Sequence, residues 1–165
     1  MGVSGCGKSE LGRSVAERLG LRFIEADAYH PAANVDKMRR GIPLGDEDRA
    51  GWLAMLAAEL SAAQARGEPV VLACSALKAR YREQFRAVVP GLRFAFLRLS
   101  RAASAQRVAN RPGHYMPESL VDSQFADLES PTGEPGVLTL DAMQPLDVLV
   151  GQTLEWLSLP LPEDA

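Results

Sequence analysis

Lysine is scarce in this chain. Of 18 basic residues only Lys8, Lys37 and Lys78 are lysine, and arginine fills the rest. A compact ammonium that persists against that bias marks a position that needs a point charge. Histidine occurs only as His30 and His114, and cysteine only as Cys6 and Cys74. Two such thiols make neither a disulfide framework nor a zinc-ligand spacing. No apolar run approaches the roughly 20 residues of a membrane span, which argues against a membrane partner. A basic excess is also missing. The formal net charge is -3, which argues against general nucleic-acid binding but leaves room for a small anionic ligand. The opening has no signal-peptide pattern, so a cytoplasmic enzyme is the expectation.

What is present begins at once. Gly2-Val3-Ser4-Gly5-Cys6-Gly7-Lys8-Ser9 fits G-x-x-x-x-G-K-[ST], the phosphate-binding P-loop. Its glycines let successive backbone N–H groups face a polyphosphate. Lys8 reaches the β- and γ-phosphates and the Ser9 hydroxyl ligates Mg²⁺ in such a loop. The helix that follows adds its positive end. Such a loop leaves the end of a buried parallel strand, yet only Met1 stands before Gly2. Cys6 is read as a small filler rather than a reactive thiol.

The chain of 165 residues is long enough for one domain with a sizeable core. Apolar spacing predicts a helix over residues 8–19 stopped by Gly20, and a short strand over 21–24. Pro31 starts a helix that Gly41 ends. Asp46 is the expected N-cap of a long helix over 47–66. The unbroken apolar run 70–74 suits a strand buried on both faces. A helix over 76–88, a strand over 93–99 and a helix from Ser100 to Ala109 follow. The segment 110–117 mixes Arg, Pro, Gly, His and Tyr and suits a lid. A helix over 118–128, a strand over 137–140 and a helix over 146–157 complete the pattern, with a loose tail over 159–165. Strands alternating with helices predict a parallel α/β sheet covered on both faces. Four strands are visible, and a fifth is expected before Gly2.

Ligands of open α/β sheets collect beyond the carboxyl ends of the strands. Asp27 and His30 follow one strand; Ser75 and Lys78 follow another. Asp27 can accept a hydroxyl proton or position that hydroxyl. Arg49 can fork onto a carboxylate or phosphate. Lys78 and Arg82 are one helical turn apart and can share an anion. Arg107 and Arg111 have the same spacing, and a lid arginine can neutralise transferring phosphoryl charge. Trp52 is read as core.

Longer motifs then narrow the class. Asp27-Ala28-Tyr29-His30-Pro31, Lys37-Met38, Gly41-Ile42-Pro43-Leu44, Asp46-Glu47-Asp48-Arg49, Cys74-Ser75-Ala76-Leu77-Lys78, Gly113-His114-Tyr115-Met116 and Ser123-Gln124-Phe125 occur in one order along nearly the whole chain. In this the sequence resembles the gluconate kinase family. The resemblance implies a nucleoside-monophosphate-kinase-like P-loop fold of three α/β/α layers, related to shikimate kinase. It implies ATP-dependent phosphorylation of D-gluconate to 6-phosphogluconate, usually by a homodimer. It assigns Gly2, Val3, Ser4, Gly5, Cys6, Gly7, Lys8 and Ser9 to ATP and Mg²⁺, with Lys8, Asp27 and Arg111 catalytic. Asp27, His30, Arg49, Lys78, Arg82 and His114 are implied to meet the sugar acid. Two departures stand out: Glu25 where an Asp is expected, and Pro112 where a lid cation is common.

The alternatives are a shikimate-kinase-like or nucleotide kinase, against which Cys-Ser-Ala stands where a Gly-Gly-Gly turn is expected, and a truncated nucleotide-binding module. Loss of a central strand of about five residues costs several kcal/mol, comparable with the stability of a domain. The chain as written is therefore expected to be unstable or weakly active.

Overall fold

The computed structural model describes residues 1–110 and 118–159. Arg111, Pro112 and His114, with most of the expected lid and tail, lie outside the described residues. In chain order the elements are α1 (Lys8–Leu19), β1 (Arg22–Glu25), a 3₁₀ turn (Ala26–Tyr29), α2 (Ala32–Arg39), α3 (Asp46–Ala65), β2 (Val70–Ala73), α4 (Ala79–Val88), β3 (Phe94–Arg98), α5 (Arg101–Ala109), α6 (Glu118–Asp127), β4 (Val137–Asp141) and α7 (Leu146–Ser158).

Local chemistry explains most of these limits. Gly20 takes φ 66 and returns its amide to the Ala16 and Glu17 carbonyls, ending α1. The Ser100 hydroxyl accepts from the Ala103 amide at 3.2 Å and starts α5 as expected. Two starts differ from expectation. Gly45, not Asp46, caps α3, and the Asp48 carboxylate reaches back to the Gly45 amide at 2.9 Å. Asp46 is occupied elsewhere, by Lys78, Arg80 and Tyr81. α4 begins at Ala79 rather than Ala76, because Ala76 sits at φ 46, a left-handed conformation that no helix continues.

β1 runs parallel to β2, with Arg22 opposite Val70 and Glu25 opposite Ala73. β3 runs parallel to β4, with Phe94 opposite Val137 and Arg98 opposite Asp141. The two pairs are separate sheets, and Met1–Gly2 is threaded between them. The Met1 amine donates to the Ala95 carbonyl at 2.6 Å, and the Leu97 amide donates to the Met1 carbonyl at 3.0 Å. Gly2 donates to the Ser75 carbonyl at 3.2 Å. The place of the expected fifth strand is thus between β2 and β3.

Side chains alternate across the strands and build two cores. Leu97 of β3 joins Val3, Leu11 and Val15 of the α1 side and Leu149 and Val150 of α7. Phe94 of β3 joins Trp52, Leu53 and Leu56 of α3 and Phe85 of α4. Gly12 of α1 is required by this packing, since a Cβ there would lie 2.8 Å from the Phe23 ring. No helix among the described residues is long and apolar enough to cross a membrane.

Candidate active site

β1 and β2 run parallel, so their carboxyl ends carry Asp27 and the Ser75–Lys78 turn on one side, and the Gly2 amide on the Ser75 carbonyl sets the phosphate-binding loop beside them. The loop is shaped by its glycines. Gly2 has φ 140 and packs so closely that a Cβ would stand 2.8 Å from the Leu97 carbonyl oxygen. Gly7 has φ 94, and nothing lies within 4 Å of where its Cβ would be. The inner side of the loop is therefore open. Gly7 also caps α1 without a side-chain acceptor, so no cap side chain covers the first-turn amides. Lys8 folds over the loop with Nζ 2.9 Å from the Val3 carbonyl.

The outer side of the loop is tied down by α5 and α6. Gln124 Oε1 accepts from the Ser4 amide at 2.6 Å, and Ser104 Oγ donates to the Ser4 carbonyl at 2.7 Å. Arg107 donates to the carbonyls of Gly5 at 3.2 Å and Ala142 at 2.9 Å. Beside the loop, Gly5, Gly7, Glu10, Arg107 and Gln144 line a cavity of about 250 Å³.

Ser9 lies partly exposed on the first turn of α1. Among the described residues no group of three or more His, Cys, Asp or Glu could hold a metal by itself. A hydroxyl oxygen such as that of Ser9 is the hard donor type that Mg²⁺ accepts beside waters and phosphates. Glu25 is turned toward Arg13, 3.8 Å away.

Asp27 is exposed on the 3₁₀ turn after β1. His30 follows and stacks on Trp52, with ring centroids 4.3 Å apart. Trp52 is core, as expected, and its Nε1 donates to the Ala26 carbonyl at 2.8 Å, which ties α3 to the turn bearing Asp27. Burial pulls the His30 imidazole below its ordinary pKa, with the Asp27 charge opposing and Arg49 assisting. Burial pushes the Cys74 thiol up to about 11, so it stays protonated and inert.

Arg49 and Lys78 are brought together by Asp127. Arg49 reaches it at 2.7 Å and Lys78 at 3.2 Å. Arg49 also donates to the Tyr81 hydroxyl at 3.3 Å, and Lys78 to both Asp46 oxygens at 3.0 and 3.1 Å. Tyr81, Arg80 and Lys78 together hold the Asp46 carboxyl far below the usual carboxylate range, the Tyr81 hydrogen bond first among them. Asp46 in turn raises the Lys78 ammonium.

Arg82 does not join them. It is fully buried and its guanidinium grips Glu134, with Nε 3.0 Å from Oε2. It also donates to the Ala76 and Leu77 carbonyls, both at 3.0 Å. The spacing from Lys78 misleads because Lys78 is the extended N-cap of α4, at φ -93 and ψ 144, and not a helical residue. The two side chains therefore part, one toward the site and one behind it.

Asp127 and Gln124 carry weight that residue-by-residue reading gave to neither. An acid in the last turn of a helix opposes the helix dipole, and that misfit was the available signal for Asp127.

A family model described as an AAA domain matches residues 1–131. The gluconokinase of Gluconobacter oxydans is 43% identical over 154 residues, covering 93% of this chain and 86% of that protein. A crystal structure of a gluconokinase from Sinorhizobium meliloti 1021 superposes with TM-score 0.83 at 44% identity, covering 96% of this chain and 95% of that one. The shikimate kinase of Bacteroides thetaiotaomicron shares the fold alone, at TM-score 0.65 and 18% identity.

Proposed function

The chain belongs to the gluconokinase family, and from that premise we propose that it transfers the γ-phosphoryl group of ATP to D-gluconate, forming 6-phospho-D-gluconate and ADP. What supports this reading is a glycine-shaped loop with Lys8 folded over it, together with Arg49 and Lys78 gathered on Asp127.

The open amides of residues 2–9 and Lys8 hold the phosphates in line. Mg²⁺, held in part by the Ser9 hydroxyl, neutralises phosphate charge when bound. Asp27 orients the primary hydroxyl of gluconate and accepts its proton as the oxygen attacks phosphorus. The bond from γ-phosphorus to the bridging oxygen breaks and leaves with ADP. Lys78, held between Asp46 and Asp127, turns from one of these acids to meet the substrate carboxylate, and Arg49 flanks it. His30, fixed on Trp52, borders the sugar-acid pocket. Arg82 acts from behind by holding the turn that presents Lys78. Arg111 and His114 belong to the lid in this reading. The working form is a cytoplasmic homodimer.

A coupled assay offering gluconate, shikimate and nucleoside monophosphates separates the kinase classes. Turnover of shikimate without gluconate overturns this one. Asp27→Asn is expected to lower kcat about 10²- to 10³-fold with ATP binding intact; unchanged turnover removes Asp27 from the mechanism.

A further inference from the structure

The carboxylate of Asp127 sits between two cations that come from different elements. Its Oδ2 meets Nη1 of Arg49 at 2.7 Å, and its Oδ1 meets Nζ of Lys78 at 3.2 Å. One oxygen therefore serves each cation, and both contacts are charge-assisted. The acid is also the outermost of the three. Its side chain is 23% exposed, against 18% for Lys78 and 11% for Arg49, so it closes the pair from the solvent side.

Other groups hold the frame around this acid. Two residues further on, the Glu129 amide donates to the Leu77 carbonyl at 3.0 Å, and the Glu129 carboxylate accepts from the Ala79 amide at 2.6 Å. Those two bonds tie the chain after α6 to the Ser75–Lys78 turn. Without Asp127, Arg49 keeps the Tyr81 hydroxyl and Lys78 keeps Asp46. Asp46 is gripped by Lys78, Arg80 and Tyr81 together. Among the described residues Asp127 is held by its two cations alone. It also ends α6, where the helix dipole disfavours a negative charge. Of the two acids on Lys78, Asp127 is the one that yields.

We infer that Asp127 is a resident carboxylate that sets the affinity for the acid substrate. It occupies the Arg49–Lys78 pair until the substrate's own carboxylate displaces it, given the reading above that this pair is the carboxylate site. The exchange puts one carboxylate in place of another, so neither cation loses its counter-charge. The released acid, already on the outer side, turns into water. An internal ligand with the strength of a part-exposed ion pair raises the apparent dissociation constant of its competitor about fivefold. A purely structural clamp acts in the opposite sense, because its loss lets the two cations part and weakens binding.

Asp127→Asn in the full chain tests this. The KM for gluconate should fall about fivefold while the KM for ATP holds. A KM for gluconate that rises or stays level overturns the proposal. A second arm needs no turnover. Acetate, compared with chloride at equal ionic strength, should raise the Tm of Asp127→Asn at about one-fifth of the concentration that the parent chain requires. Equal requirements, a lower one in the parent chain, or no response in the variant overturn the proposal. A parent chain that phosphorylates no gluconate counts against the kinase reading alone, and the acetate arm then decides the role of Asp127 by itself. Should Asp127→Asn not fold, carboxyl ¹³C NMR of the parent chain takes its place. Movement of the Asp127 resonance as acetate saturates supports the displacement, and an unmoved resonance overturns it.

Discussion

Residues 2–9 keep their shape through glycine dihedrals and main-chain amides, whereas the cluster around Asp46 and Asp127 keeps its shape through side-chain charges. The loop is contiguous in sequence, with Gln124, Ser104 and Arg107 tying its back. The cluster is drawn from α3, the Ser75–Lys78 turn, α4 and α6. Its members neutralise one another, so each one removed leaves a charge behind. The loop should fail locally and chemically, and the cluster's frame should fail through stability.

Lys8→Met tests the first half of that contrast. It should lower kcat about 10³-fold with Tm nearly unchanged, by steady-state kinetics beside a thermal melt. A large fall in Tm would erase the contrast. Arg82→Met tests the second half. It strands the Ala76 and Leu77 carbonyls and leaves Glu134 with Arg86 alone. The expected loss is about 3 kcal/mol, held down because Glu134 is 24% exposed. That corresponds to about 9 °C in Tm. The KM for gluconate should rise with it, since the turn carrying Lys78 loosens.

Smaller changes sharpen the comparison. Gln124→Ala removes the acceptor of the Ser4 amide. A loss of about 1 kcal/mol should raise the KM for ATP about fivefold and spare the KM for gluconate. His30 gives the mildest effect, in pH. Its folded pKa is lowered by burial, so the unfolded chain takes up the proton first. Its contribution is present above about pH 6.5 and is lost as pH falls below that value. Urea titrations at pH 7.5 and 5.5 should differ less in His30→Gln than in the parent chain.

The same contrast explains what could be read from the sequence. The loop, the helix it opens, the order of strands and helices and the Ser100 cap all depend on residues close in sequence. The spacing rules therefore reached them. Asp46 looked like a cap because the signal of a capping acid is local, while its three partners lie more than 30 residues away. Arg82 looked like a ligand because helical spacing was extended back to Lys78, which is the extended N-cap of α4 and not a helical residue. The 3₁₀ turn that lifts Asp27 has no periodicity to read. The whole-chain resemblance added a substrate role to Arg49 and Lys78, while Asp127, which joins them from α6, was reached by neither spacing nor resemblance.

The chain has two tryptophans, and the fold has separated them. Trp52 stacks on His30 beside the turn that bears Asp27, the proposed acid pocket, and Trp156 lines a slot between β2 and β3. Each end of the molecule therefore carries its own optical probe. With Trp156→Phe, emission follows only the acid pocket, and imidazole protonation should quench it. With Trp52→Phe, emission follows only the slot. Two single-tryptophan proteins would show in real time whether filling one end of the sheet is felt at the other.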